Sequence, residues 1–495
     1  MSLRAEKILL LTFLVLGLVF AYAGSFYGQP LWDDWYFIFQ RYTSNLELSH
    51  GAFWRHHIWP FFDSLTFAFY GLARAEVLWW HLLNFSLHVL NSWLLYQLVK
   101  SWRPPWAFAL AVLFAFHPLN ALSVAWIIQL KTVLATCFVL LSILYWQRAA
   151  YAPSVLFYAL SLVTKSLALP LPWLALVLLR RRVWNLKILP FLFLSLLSAW
   201  RIFHKDNVKD VITATTKTVY EQVKPAEEVP QLPQVKVAEP KVTQPLVVPD
   251  SGPVVIADSQ PVPLVVTEEK VPLPATPEWQ KKLGLMFYTT GHYLAMPWWP
   301  WPLLPVHQIY RGSMDVKVGL GWLLVLLSLI WGAKQKNWLP LKAMAWQLGL
   351  VFPVSGVLVL PYMSYTAISE QHLYATIPFA LFLQLYVADQ LVPKSARVLL
   401  LCWVVCLFAG LTANYTQSFK DERSFYARIL EHDPDNALAT LNLAGFYSAQ
   451  GLNSQALKIV MHHIQKTDKR PALKDDPLYP FFIEAQLRYE LNDLK

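Results

Sequence analysis

Charge is what this sequence has little of. Of its 495 residues only 15% are Asp, Glu, Lys or Arg, against about 25% in an ordinary soluble domain. Apolar residues fill the shortfall at 56%, and the mean hydropathy is +0.38. Long apolar runs such as 8–20 and 318–330 belong in a bilayer. A soluble enzyme, a secreted disulfide scaffold and a nucleic-acid binder are therefore excluded. Cysteine is scarce too. Cys137, Cys402 and Cys406 each sit inside an apolar run, so no disulfide staples an external domain.

The charge that remains is unevenly spread. The net charge is +10, yet residues 205–278 hold 7 Lys against 11 Asp/Glu and residues 416–495 hold 10 Lys/Arg against 11 Asp/Glu. The basic surplus lies between the apolar runs, where positive-inside anchoring puts it. Arg4 and Lys7 precede a first span at about 8–25, which orients the N-terminus to the cytoplasm. Further spans read at about 77–99, 106–120, 124–146, 152–165, 167–181, 186–203, 317–333, 341–360, 373–392 and 397–415. Eleven crossings leave the C-terminal residues outside. The segment 282–300 reads as interfacial, since a crossing there would put the later basic clusters outside. Ala21-Tyr22-Ala23 has the shape of a signal-peptide cleavage site, but an uncleaved first span is the reading adopted.

Four regions follow. Residues 1–204 and 279–415 are two parts of an all-α multi-pass membrane region. Residues 205–278 carry 12 of the 34 prolines and a single aromatic, Tyr220, the composition of a disordered insert. Residues 416–495 are polar with helical patterning, and Leu443, Ala444, Tyr447, Gly451 and Ala456 fall at the spacing of a tetratricopeptide (TPR) repeat. A weaker unit follows at 480–491. So short an array is expected to lean on the membrane part.

Three sets of residues could carry chemistry. Asp33 and Asp34 sit between tryptophans just beyond the first span. Adjacent carboxylates raise one pKa, which suits a general base, or share a divalent cation; a solvated turn is the plain alternative. His81, Asn84, His88 and Asn91 fall at spacings of three, four and three on one helix face, a polar stripe fit to line a cavity within the membrane. Lastly, Arg55, Lys131 and Lys165 are cations on the outer side, accompanied by His56, His57, His117, His292 and His372. Such a cluster suits an anionic headgroup, with Lys as a point charge on phosphate; snorkelling to lipid is the alternative. Lys131 lies about two turns inside its predicted span.

His117-Pro118, Val124-Ala125-Trp126-Ile127 and Lys131 together resemble the "HP…VAWI…RK" signature of TMTC-type membrane O-mannosyltransferases and their bacterial relatives, in the GT-C superfamily. Trp32-Asp33-Asp34, His81-Leu82-Leu83-Asn84 with Leu87-His88, Thr164-Lys165 with Leu169-Pro170, and Glu370-Gln371-His372-Leu373-Tyr374 with Pro378 resemble the family's other motifs, in order. Leu122, Leu130 and Gln371 stand where that family has Glu, Arg and Arg. The resemblance implies transfer of a sugar from a polyprenyl-phosphate donor to an extracytoplasmic acceptor, a protein hydroxyl, glycan or lipid, with inversion. It implies Asp33 as base, Asp34 orienting the acceptor or a divalent cation, and Lys131, Lys165, His372 and Arg55 on the donor phosphate. His81, Asn84, His88, His117 and Glu370 would line the polar cavity. Nothing in the sequence demands a metal. A non-catalytic scaffold presenting TPR helices to an envelope protein is the competing reading. The expected setting is a bacterial inner membrane with a periplasmic C-terminal domain.

Single-cysteine labelling tests the topology: probes at 205–278 and 416–495 should react from the same, extracytoplasmic side. Labelling of the tail from the cytoplasm would refute eleven crossings.

Overall fold

A computed structural model describes residues 3–34, 38, 59–74, 76–179, 186–203, 278–307, 315–357 and 366–468. Arg55, His56, His57, nearly all of the 205–278 insert and the unit at 480–491 lie outside the described residues. Those described form helices and turns, with no strand among them. The helices are α1 (Leu3–Phe26), α2 (Pro60–Ala73), α3 (Val77–Lys100), α4 (Pro104–Phe116), α5 (Ala121–Ala125), α6 (Leu130–Gln147), α7 (Tyr151–Thr164), α8 (Leu171–Leu179), α9 (Leu189–Phe203), α10 (Glu278–Ala295), α11 (Val316–Gln335) and α12 (Leu339–Val351). The last five are α13 (Ile377–Leu391), α14 (Lys394–Thr416), α15 (Glu422–His432), α16 (Ala437–Ala449) and α17 (Asn453–Asp468).

Among the described residues three helical stretches are long and apolar enough to cross a membrane: Ile127–Gln147, Val316–Gln335 and Lys394–Phe419. Two bent pairs raise the number to five if each counts as one span: Pro104–Phe116 with Pro118–Ala125, at 52°, and Tyr151–Thr164 with Ser166–Leu178, at 114°. Among the described residues Leu10–Phe26, Leu339–Val354 and Ile377–Leu391 are further apolar helical stretches. Pro118 explains the first bend, because a proline supplies no amide to continue the ladder. The 24-residue α3 is long enough, but its His and Asn residues dilute its apolarity.

A large core ties the parts together. On α1, Leu10, Leu14, Leu18, Ala21 and Tyr22 are fully buried, spaced to share one face. Thr416 on α14 donates its hydroxyl to the Ala21 carbonyl at 3.0 Å. Helices α6 and α7 exchange hydroxyl bonds, Ser142 Oγ to Ser154 O at 2.9 Å and Ser154 Oγ to Ser142 O at 2.8 Å, the small-polar contact that lets apolar helices approach closely.

The C-terminal helices belong to the same core. Phe425, Tyr426 and Ile429 on α15, and Leu438, Ala439 and Leu443 on α16, are buried in one cluster with Trp126 and Phe419. The opposite face of α16 (Ala437, Leu441, Ala444) meets Ala456, Val460 and Ile464 of α17. Gly451, at φ +74°, makes the turn between them, where a side chain would be strained.

Helices α10 and α11 cross at a pair of glycines. A Cβ on Gly321 would lie 1.9 Å from the Gly291 carbonyl oxygen, whereas one on Gly319 would meet nothing within 4 Å. Gly321→Ala should therefore destabilise the protein by about 1–3 kcal/mol, read as a lowered unfolding temperature in detergent, and Gly319→Ala should leave it unchanged. Equal behaviour of the two variants would mean the helices do not meet here.

Candidate functional site

The site grows out of a helix that ends away from water. The last three carbonyls of α4 lie past the regular ladder, and each receives a side-chain donor, Phe114 O in addition to the His117 amide at 3.3 Å. Asn120 Nδ2 donates to Phe114 O at 2.6 Å, His88 Nε2 to Ala115 O at 2.9 Å, and Thr412 Oγ1 to Phe116 O at 3.0 Å. Because a carbonyl only accepts, His88 carries its proton on Nε2. Its Nδ1 then accepts from the Tyr374 hydroxyl at 2.7 Å. Asn91 Nδ2 donates to Val133 O at 2.9 Å and to Tyr374 Oη at 3.1 Å. Asn84 Nδ2 reaches Trp126 O at 3.3 Å and Ile127 O at 3.4 Å.

The polar stripe of α3 is thus spent largely on backbone at the breaks of neighbouring helices. His81 packs against Gly28, where an added Cβ would come within 2.6 Å of the Phe419 carbonyl and 3.4 Å of His81 Nε2. His117 caps the turn after α4: Nδ1 accepts from Leu119 N at 3.3 Å, and Nε2 donates to Pro297 O at 3.3 Å. Glu370 is fully buried and braces the 303–307 segment, with Oε1 accepting from Leu304 N at 2.8 Å and from His307 Nε2 at 3.1 Å. His292 bonds Asp315 at 2.6 Å.

The two carboxylates of the first loop differ. Asp34 is 1% exposed; its Oδ1 accepts from Ile128 N at 2.7 Å and its Oδ2 from Leu31 N at 3.0 Å. It therefore satisfies an amide at the start of the next helical stretch and closes its own turn. Trp32, at φ +40°, sits in a strained left-handed conformation. Its ring stacks on Trp126 at 5.9 Å, and its amide donates to Glu422 Oε1 at 3.4 Å. These contacts hold the loop while Asp33 stays half-buried. Burial pushes the Asp33 carboxyl up from its ordinary range, and the Lys131 ammonium opposes that rise. Burial pushes Asp34 up to about 8, against the two amide bonds and Lys131, with the Asp33 charge adding to the rise.

Lys131 is the second residue of α6, in its first turn and not two turns into the membrane helix. That is the positive end of the helix dipole, an unfavourable place for a cation. Three carboxylates offset it: Asp33, Asp63 and Asp34 all act on its charge, and its Nζ stands 4.7 Å over the Trp59 ring. Asp63, buried in the first turn of α2, was missed in the sequence reading; its only signal there was a lone acid after Phe61 and Phe62. Thr132 was missed too. The Lys165 ammonium donates to its hydroxyl at 2.7 Å.

Lys165 is 8% exposed at the C-terminal cap of α7. Its charge and that of Lys131 both act on the buried His372, and Lys131 acts on Lys165. Among the described residues no carboxylate is within ion-pair distance of Lys165. Asp33, Lys131, Lys165 and His372, from four separate stretches of chain, therefore come together. Asn84, His88 and His117 bond backbone at the helix breaks, while His81 lies buried near Gly28. Among the described residues no group of three His, Cys, Asp or Glu side chains could hold a metal ion. No family model, curated protein or solved structure matches this chain.

Asp34→Asn puts an amide NH2 against one of two backbone N–H donors. It should lower stability by about 1–3 kcal/mol, measured as a fall in unfolding temperature, while Asp33→Asn should change stability far less. Equal stability of the two variants would remove the bracing role of Asp34.

Proposed function

We propose that the chain is a GT-C-type membrane glycosyltransferase that moves one sugar from a polyprenyl-phosphate donor to an extracytoplasmic acceptor. In this reading eleven segments cross the membrane and the C-terminal helices form a TPR-like unit outside it. The observation that supports it is the buried Lys165 ammonium, bonded to Thr132 and within electrostatic reach of Lys131 and His372, with no carboxylate paired to it among the described residues. A buried cation is costly until an anion pairs with it, and a lipid phosphate at the mouth of apolar helices is such an anion.

Lys165, with Lys131 and His372, holds the donor phosphate, and Arg55 joins that set by its position in the sequence. The acceptor hydroxyl gives its proton to the Asp33 carboxylate as its oxygen attacks the anomeric carbon. The bond from that carbon to the phosphate oxygen breaks, and the electron pair leaves with the polyprenyl phosphate, whose charge the lysines stabilise. A single displacement inverts the anomeric centre. Asp34 acts by holding the loop.

Purified protein in lipid nanodiscs, given short-chain polyprenyl-phosphate sugars with glycan, peptide or lipid acceptors, should release polyprenyl phosphate as the sugar passes to an acceptor or to water. Asp33→Asn should cut turnover by about 10²-fold or more with donor affinity unchanged, and Lys165→Ala should weaken donor binding. Because Asp33 works deprotonated, kcat/KM should fall as pH drops, with an acid limb above the ~3.9 of an ordinary aspartate. Lys131→Met should move that limb to higher pH, since the ammonium opposes the rise. Wild-type turnover in Asp33→Asn would remove the base. No release from any donor would leave the chain a scaffold.

A further inference from the structure

The loop that carries Asp33 also walls a cavity of about 530 Å³, a size that takes a small organic ligand. Three parts of the chain distant in sequence form it: Gln29, the start of α15, and the adjoining ends of α16 and α17. The Gln29 amide donates to Lys420 O at 2.8 Å, which fixes this loop against the C-terminal helices. Gln29 is four residues from Asp33, so at most about 14 Å of extended chain separate them.

The lining is unusual in what it offers. Gln29, Gln450 and Gln455 present exposed primary amides, and none of these side chains makes a hydrogen bond among the described residues. Each amide supplies both a donor and an acceptor, which is what neighbouring sugar hydroxyls require. Phe446 and Tyr447, half-buried and edge-to-face at 5.8 Å, supply an apolar surface. Asp421 spends an oxygen on Ser424 N at 2.7 Å, and Arg423 balances its charge. With no cationic excess the cavity does not favour a phosphorylated ligand. With so many amides it does not favour an acyl chain.

We propose that this cavity binds a short neutral oligosaccharide, the non-reacting part of the acceptor, so that the acceptor is a glycan or a glycan-bearing molecule. Assignment to the acceptor rests on the transferase reading; the binding of carbohydrate does not.

The test uses the full chain in lipid nanodiscs free of sugar-based detergent, titrated with mannotriose, maltotriose and triacetylchitotriose and followed by saturation-transfer NMR. At least one trisaccharide should bind. Gln450→Ala, on an exposed side chain, should weaken it by about tenfold, Tyr447→Ala by more, and Asp33→Asn not at all. Gln450-dependent binding by a protein that releases no polyprenyl phosphate would keep the carbohydrate site and sink the transferase reading. Turnover without binding of any trisaccharide would do the reverse. Binding of a Ser/Thr-rich peptide that depends on Gln450, where no trisaccharide binds, would overturn the carbohydrate assignment in favour of polypeptide.

Discussion

A helix that stops inside an apolar interior must find donors for its last carbonyls, because no water is there to supply them. Helix α4 stops in this way at Phe116, and the rest of the architecture depends on how its end is satisfied. Besides the His117 amide, side-chain donors come from three places: Asn120 in the turn that follows, His88 on α3 and Thr412 on α14. One broken helix therefore locks together elements separated by nearly three hundred residues. His88 extends the lock to Tyr374, and Asn91 extends it to α6. Polar residues that would be a liability against lipid become the means by which these helices find their register.

The same break creates the site. Past Pro118 the chain must start helix again, and the first amides of a helix lack partners just as the last carbonyls do. Asp34 supplies an acceptor for Ile128 N, which draws the first loop onto the head of the next helix. Its neighbour Asp33 is left beside Lys131, a cation at the wrong end of a helix dipole whose charge Asp33, Asp63 and Asp34 offset. Lys165, at the C-terminal end of α7, enjoys the favourable end of a dipole, and among the described residues its hydrogen-bond partner is a hydroxyl. The two lysines are thus unlike in their surroundings. Lys131 sits among carboxylates, whereas Lys165 meets a hydroxyl.

The C-terminal helices are not an appendage. A helical hairpin of this size buries too little surface to be stable alone, and α15 and α16 add their apolar residues to the cluster around Trp126 and Phe419. Through Glu422 and Lys420 these helices also touch the loop that holds Asp33. Their packing therefore bears on the geometry of the site as well as on stability.

Composition and periodicity determined the helical class, the apolar stretches and the helical pattern of residues 416–468, because burial and helix period are written directly in the order of apolar residues. They also picked out Asp33, Lys131, Lys165 and His372, since charge inside apolar sequence is conspicuous. They did not tell Asp33 from Asp34, because the difference lies in which backbone amides each carboxylate meets, and Ile128 is distant in the chain. Asp63 and Thr132 were invisible for the same reason. The histidines and asparagines of α3 were legible as a polar face, but whether that face meets open space or the last carbonyls of a neighbouring helix depends on where α4 breaks and what packs against it. Only the tertiary structure decided that, because hydrogen-bond satisfaction is a property of contacts between segments and no single segment encodes it.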